Sequence, residues 1–149
     1  MSEQSVELAT FMLGNEVYGI EVTKVREILT YQVPTKLPNT APFVKGVINI
    51  RGEVCPIIDL RIKLLGKESS ALEYTDNTVI IASRLGDGRM AGIVVDALCG
   101  LEEVKSDMLL LNPDFCSINK EFLKGFFKKE ERLVVMMDIE KILAKSEFE

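Results

Sequence analysis

Three aspartates, one arginine and three cysteines are the residues best placed to do chemistry. Asp59 closes the run Pro56-Ile57-Ile58, Asp96 follows Gly92-Ile93-Val94-Val95, and Asp138 follows Val134-Val135-Met136-Met137. A carboxylate held at the end of a strand can act as a general acid or base. None of the three has an imidazole to work with, because the chain contains no histidine, and this excludes Ser-His and Cys-His nucleophile pairs. A zinc site would have to use Cys55, Cys99 and Cys116, which have no C-x-x-C spacing. In a chain without an export signal they read as reduced, small core residues. There is no G-x-x-x-x-G-K-[ST] phosphate loop. No catalytic residue, metal or cofactor is expected, and a small carboxylate-dependent enzyme is a disfavoured alternative.

Aspartate is also a favoured helix N-cap. Asp59 precedes Leu60–Leu65 and Asp138 precedes the amphipathic set Ile139, Ile142 and Leu143, so capping is the preferred role of both. Asp96 contacts a partner or caps a turn, with the turn favoured. Arg51 is different. It stands in Asn49-Ile50-Arg51-Gly52 between two apolar runs, and turns on rigid scaffolds carry recognition. It is either a contact residue, a solvated turn residue, or one half of an ion pair between lobes.

The elements that must position these residues are short strands. Leu8–Leu13 and Glu16–Val22 form a hairpin around Gly14-Asn15, a glycine-first turn. Thr23 then caps a short helix in which Val25, Ile28 and Leu29 share one face, lining either the core or a groove for a partner helix. Residues 31–42, with Pro34, Pro38 and Pro42, are extended loop. Strands Val44–Ile50 and Glu53–Leu60 turn at Arg51-Gly52, and Gly66 stops a helical turn over Leu60–Leu65. A polar linker covers Lys67–Asn77. Strands resume at Thr78–Leu85 and Arg89–Leu98, and again at Phe122–Lys128 and Arg132–Met137, before a C-terminal helix. Ser106–Asn119 is ambiguous.

The chain repeats itself. Lys45-Gly46, Asp59 and Leu64 recur 79 positions on as Lys124-Gly125, Asp138 and Leu143, and Gly19-Ile20 and Val22 recur 73 positions on as Gly92-Ile93 and Val95. Two lobes of short strands with close turns favour small barrels within one domain, residues 1–149. Gly46 and Gly125 occupy matched strand positions where a side chain would not fit. The counterpart of Arg51 is Glu130, so the fold itself does not demand arginine there.

Composition narrows the function further. A net charge of −5, with 7% aromatics and no tryptophan, opposes a barrel-type nucleic-acid binder. No apolar run approaches the roughly 18–20 residues of a membrane helix, and Met1–Glu7 has no signal-peptide character, so a cytoplasmic location is expected.

Tyr18-Gly19-Ile20, Val25-Arg26-Glu27-Ile28 and Leu37-Pro38, then Lys45-Gly46-Val47-Ile48-Asn49-Ile50-Arg51-Gly52 and Pro56-Ile57-Ile58-Asp59-Leu60, resemble CheW-like domains. Gly92-Ile93-Val94-Val95-Asp96, Lys124-Gly125 and Leu133–Asp138 continue the likeness almost to the end. The resemblance implies two five-stranded β-barrels about a shared core. It also implies a non-enzymatic adaptor, recruited to membrane-anchored arrays, that binds the cytoplasmic tips of chemoreceptors and the regulatory domain of the histidine kinase CheA. A coupling protein of a pilus or regulatory array is the alternative within the family. The length leaves no room for an appended receiver domain or for kinase domains. The resemblance places a receptor groove between the lobes. Val25 and Ile28 are expected on one wall, Val95 and Leu98 on the other, and Arg51 nearby.

Overall fold

The structure is a computed structural model that describes residues 5–66, 73–105, 109–110 and 120–148. It is mainly β. The strands are β1 (Ser5–Leu13), β2 (Glu16–Glu21), β3 (Val25–Thr30), β4 (Val44–Ile50), β5 (Glu53–Asp59), β6 (Val79–Arg84), β7 (Met90–Val95), β8 (Ala97–Lys105), β9 (Leu109–Leu110), β10 (Leu123–Lys129) and β11 (Arg132–Met137). The helices are α1 (Leu60–Leu65) and α2 (Ile139–Ile142), with 3₁₀ turns at Val22–Lys24, Lys120–Phe122 and Lys145–Phe148.

The strands form two sheets, ordered β8-β1-β2-β11-β10-β9 and β3-β6-β7-β5-β4. Replacing β1, β2, β3, β4 and β5 by β6, β7, β8, β10 and β11 converts one order into the other. The lobes are therefore not the two halves of the chain. Each keeps the first hairpin of one half and takes the next three strands from the other half. The register obeys the offsets seen in the sequence. The parallel pair Ile57–Gly92 becomes Met136–Gly19, 79 positions on in one strand and 73 back in the other. Two-residue β9 is the counterpart of an isolated bridge: Thr35 pairs with Val47 as Leu110 pairs with Phe126. Each lobe is thus five strands plus one closing pair.

Burial follows the same plan. Ile48, Cys55, Ile57, Ile80 and Val94 fill the lobe built on β4 and β5, whereas Leu8, Val17, Phe127, Val134 and Met136 fill the other. A larger cluster draws on both sheets and both helices, including Phe11, Ile20, Ile58, Ile93, Leu60, Ile142 and Leu143. Each fully buried side chain of this size contributes about 1.5–3 kcal/mol. This third cluster is the shared core.

Several expectations are corrected. The early helix is strand β3, preceded by the 3₁₀ turn Val22–Lys24 in which Thr23 makes no cap. Burial along β3 alternates, with Val25, Glu27 and Leu29 half-buried and Arg26, Ile28 and Thr30 exposed. The period of two, helped by β-branched Val25, Ile28 and Thr30, pairs the segment with β6. The expected strand Arg89–Leu98 breaks at Asp96, whose N–H donates to Met12 O at 3.0 Å as the chain passes into the other sheet. The residues beyond it form β8, which the sequence reading did not anticipate past Leu98. Of the cysteines, Cys55 is buried but Cys99 is exposed on β8. Cys116, the segment 67–72 and most of 106–119 lie outside the described residues.

The lobe built on β4 and β5 needs glycine at one place. Gly46 has φ +133 at a bulge between β4 and β5, and a Cβ there would lie 2.0 Å from Thr35 O. The bulge recurs at Gly125. No helix among the described residues is long and apolar enough to cross a membrane.

Candidate functional site

The aspartates come first, because their partners decide what they can do. Asp59 Oδ1 accepts from the Arg61 N–H at 3.0 Å and caps α1; Asp138 Oδ1 accepts from the Lys141 N–H at 3.2 Å and caps α2. Their own N–H groups donate to Phe43 O and Phe122 O, each at 2.8 Å, so the two caps are anchored at equivalent places. Asp59 has no exposed surface, and Arg61 grips it with Nε to Oδ1 at 3.0 Å and Nη2 to Oδ2 at 2.8 Å. Arg61 Nη1 reaches Asp96 Oδ1 at 3.0 Å and Glu73 O at 2.9 Å, while Asp96 Oδ2 accepts from the Gly14 N–H at 2.7 Å. Burial works against the charge of Arg61, yet Asp59 and Asp96 hold its guanidinium above its ordinary pKa. Tyr74 packs over this network, 4.9 Å from the Arg61 carbon and stacked at 4.1 Å on Tyr31. Burial pushes the Tyr74 hydroxyl up, and neighbouring Asp59 adds to the shift. Every one of these carboxylates is spent on architecture.

Arg51 is not. It occupies the β4–β5 turn with φ +52, next to Gly52 at φ +83, and its counterpart Glu130 has φ +56. A left-handed non-glycine residue is uncommon, and here both lobes impose it. The Gly52 N–H donates to Asn49 Oδ1 at 2.9 Å, which tightens the turn. The Arg51 side chain is 85% exposed and reaches Glu27 on β3, with Nη2 2.9 Å and Nε 3.1 Å from Oε1. Beside it Arg84 clasps Glu53 at 2.8 Å, an ion pair that holds the Glu53 carboxyl below the usual carboxylate range. These residues, with Arg26, Ile50 and Met90, line an open cavity of about 450 Å³ at the mouth of this lobe. A cavity of about 560 Å³ occupies the equivalent place in the other lobe, where Glu130 replaces Arg51 and Arg132 replaces Glu53. The two mouths have opposite charge order.

The remaining candidates separate. Ile28 is 43% exposed on β3, but it points to the opposite face from Glu27, the residue that Arg51 reaches, so the structure does not bring it to Arg51. Val25 is half-buried against the shared core. Val95 is fully buried and has no surface to offer a partner; strand β7 is covered on both faces. Leu98 is 39% exposed on the other sheet, paired with Phe11. The sequence reading missed Leu101, which is 61% exposed and lies 73 positions beyond Ile28. The two are true equivalents, because Ile28 pairs with Ile81 as Leu101 pairs with Ala9. The offset was available, but a helical reading of residues 25–29 hid it. Arg61 was missed as well, its signal being a lone arginine at the start of an apolar turn, opposite Glu140 in the repeat.

A duplicated β domain, with its aspartates tied into helix caps and its exposed apolar and arginine side chains on edge strands and turns, is the frame of a recognition module. The model of the CheW-like domain family matches residues 7–147, and the chain belongs to that family. It is 39% identical to the chemotaxis protein CheW of Klebsiella aerogenes over 95% of this chain and 83% of that one. It is 33% identical to the chemotaxis protein CheW of Bacillus subtilis over 93% and 87% respectively. A crystal structure of the scaffolding protein TtCheW from Thermoanaerobacter tengcongensis superimposes with a TM-score of 0.83 at 23% identity, over 97% of this chain and 92% of that one, and so shares its fold.

Proposed function

We propose that this protein is a non-enzymatic adaptor coupling the cytoplasmic tips of chemoreceptors to the regulatory domain of the histidine kinase CheA, at arrays anchored in the membrane. Family membership supports the role. The single observation that carries the site is Arg51, fixed in a left-handed turn and mostly exposed at the cavity it borders with Glu27. Receptor tips are helical hairpins, and a helix is held by a few apolar anchors with polar contacts at the rim. Ile28 supplies an anchor on β3, Leu98 and Leu101 supply them on β8, and Arg51 supplies charge-assisted hydrogen bonds. Val25 contributes backing to β3, and buried Val95 leaves the contact set.

Arg51→Ala tests the site in a reconstituted receptor–kinase assay. It should weaken receptor-dependent kinase activation several-fold while stability stays within about 0.5 kcal/mol, as for most surface changes. Normal activation by a variant that melts much earlier would make Arg51 a structural ion-pair residue. Absence of binding between the folded protein and the CheA regulatory domain would remove the adaptor role itself.

A further inference from the structure

The repeat places two junctions where the halves of the chain meet, and their charges are crossed. At the first, Arg61 on α1 of the first half meets Asp96, at the β7–β8 corner of the second, at 3.0 Å. At the second, Glu140 on α2 of the second half meets Lys24, at the β2–β3 corner of the first, at 2.9 Å. Glu140 stands 79 positions beyond Arg61, and Lys24 and Asp96 occupy the corresponding corners, one residue apart by the 73-residue offset. The carboxylate at each junction also caps a hairpin turn: Asp96 accepts from the Gly14 N–H, and Glu140 from the Gly86 N–H. Those turns are equivalent, since each glycine follows the last residue of its hairpin's first strand pair (Leu13 with Glu16, Leu85 with Arg89). The geometry is thus kept while the sign is reversed. The helix is cationic and the corner anionic at one junction, and the reverse holds at the other.

A duplicated fold has a competing assembly. Because the two sheets have the same strand order, the first half of one copy offers the first half of a second copy the same pairing edges that it offers its own second half. In such like-with-like pairing Arg61 would face Lys24 of the other copy, and Glu140 would face Asp96. Both contacts would be repulsive. We propose that Lys24, Arg61, Asp96 and Glu140 are specificity residues, whose crossed charges make each half of the chain accept the other half and reject the same half of a second copy of this chain. Attraction alone would not do this; the discrimination comes from the unfavourable contacts built into the alternative.

Lys24→Glu/Glu140→Lys isolates the effect. Both native junctions remain opposite-charge pairs, and the altered one lies at side chains about one-third exposed; only the carboxylate cap on the Gly86 N–H is lost, so the monomer should fold and melt within a few degrees of wild type. In like-with-like pairing of the swapped chain, Arg61 would face the introduced glutamate at position 24, and Asp96 the introduced lysine at position 140. Both contacts become attractive. Wild type, this swap, and the neutral Lys24→Met/Glu140→Gln chain are refolded from urea at one high concentration, and dimer is measured by light scattering after gel filtration. Ordinary exchange of halves between copies preserves the native contacts and contributes equally to all three. The swap should raise the dimer yield by more than about tenfold over wild type, since each sign reversal changes an equilibrium roughly threefold and four such contacts form in one dimer. The neutral variant should fall between. Equal yields from all three folded proteins, or an order that does not rise from wild type through neutral to swapped, would overturn the proposal. If the swapped chain does not refold, the wild-type and neutral pair decides alone: more dimer from the neutral chain supports the proposal, and an equal or smaller yield overturns it.

Discussion

Replacing Arg61 with methionine should be the most damaging single change on the polar side of this fold. The side chain is 4% exposed and makes four hydrogen bonds, two to Asp59, one to Asp96 and one to Glu73 O. Methionine keeps most of the volume, so the loss is electrostatic rather than a cavity. It leaves Asp59 with no exposed surface and, among the described residues, only the residue-61 N–H at 3.0 Å and the Tyr74 hydroxyl at 3.3 Å as donors. Removing one partner of a buried ion pair costs about 3–5 kcal/mol, chiefly because the other charge stays buried. For a domain of this size that lowers the melting temperature by about 10–15 °C. Urea unfolding followed by circular dichroism, needed because the chain has no tryptophan, measures the loss directly. The double variant Asp59→Asn/Arg61→Met separates causes. Asparagine caps helices as well as aspartate does and carries no charge. The pair should therefore recover at least about half of the loss. A single variant within about 1 kcal/mol of wild type, or a double variant no better than the single, would refute the claim that buried Asp59 needs Arg61.

The other expectations are more local. Gly46→Ala places a methyl 2.0 Å from Thr35 O at a φ that L residues rarely adopt, so the chain should accumulate as insoluble protein or lose more than about 3 kcal/mol; a soluble variant melting within a degree or two of wild type would show that the bulge relaxes freely. In a Cys116→Ser background, a maleimide should label Cys99 in the native protein and Cys55 only after unfolding, because Cys55 has no exposed surface; equal native rates would contradict the packing. Burial, helped by Glu53, also pushes the Cys55 thiol up to about 12. A thiol with a raised folded pKa stabilises fully below its unfolded pKa of about 8.5 and loses that contribution as pH rises through the folded value. Stability should thus fall on the alkaline side by up to about 1.4 kcal/mol per pH unit from this group, and Cys55→Ala should flatten that limb. An unchanged alkaline slope in the variant would remove Cys55 as its source.

The repeat was the most legible feature of the sequence, and its limits are physical. Offsets of 79 and 73 reported which positions share an environment: Asp59 with Asp138 as caps, Gly46 with Gly125 at bulges, Arg51 with Glu130 in left-handed turns. They did not report which strand pairs with which, because strand exchange between halves leaves the sequence pattern untouched. That is why β8 was cut short at Leu98. Residues 97–105 pair with β1 across the lobes, and their exposed Leu98, Cys99, Gly100 and Leu101 give no clean alternation. Strand β3 failed for a related reason. Val25, Ile28 and Leu29 fit a helical spacing by chance, whereas the alternation that won is imposed by pairing with β6, more than 50 residues away in the chain.

Equivalence in a duplicated fold cuts both ways for reading a site. Where both copies keep a residue type, the shared fold explains it, as the helix caps explain Asp59 and Asp138. Where the copies differ at one backbone conformation, the fold has stopped deciding. Arg51 and Glu130 share a left-handed turn but carry opposite charges, so neither charge is required to make the turn. The mouths they border have acquired opposite charge order on the same scaffold. Edge positions show the complementary case: Ile28 and Leu101 are exposed apolar residues at equivalent places on β3 and β8, although nothing in folding rewards leaving either in water. The two lobes thus present equivalent exposed apolar edges and mouths of different charge order on one scaffold, differences that folding does not require.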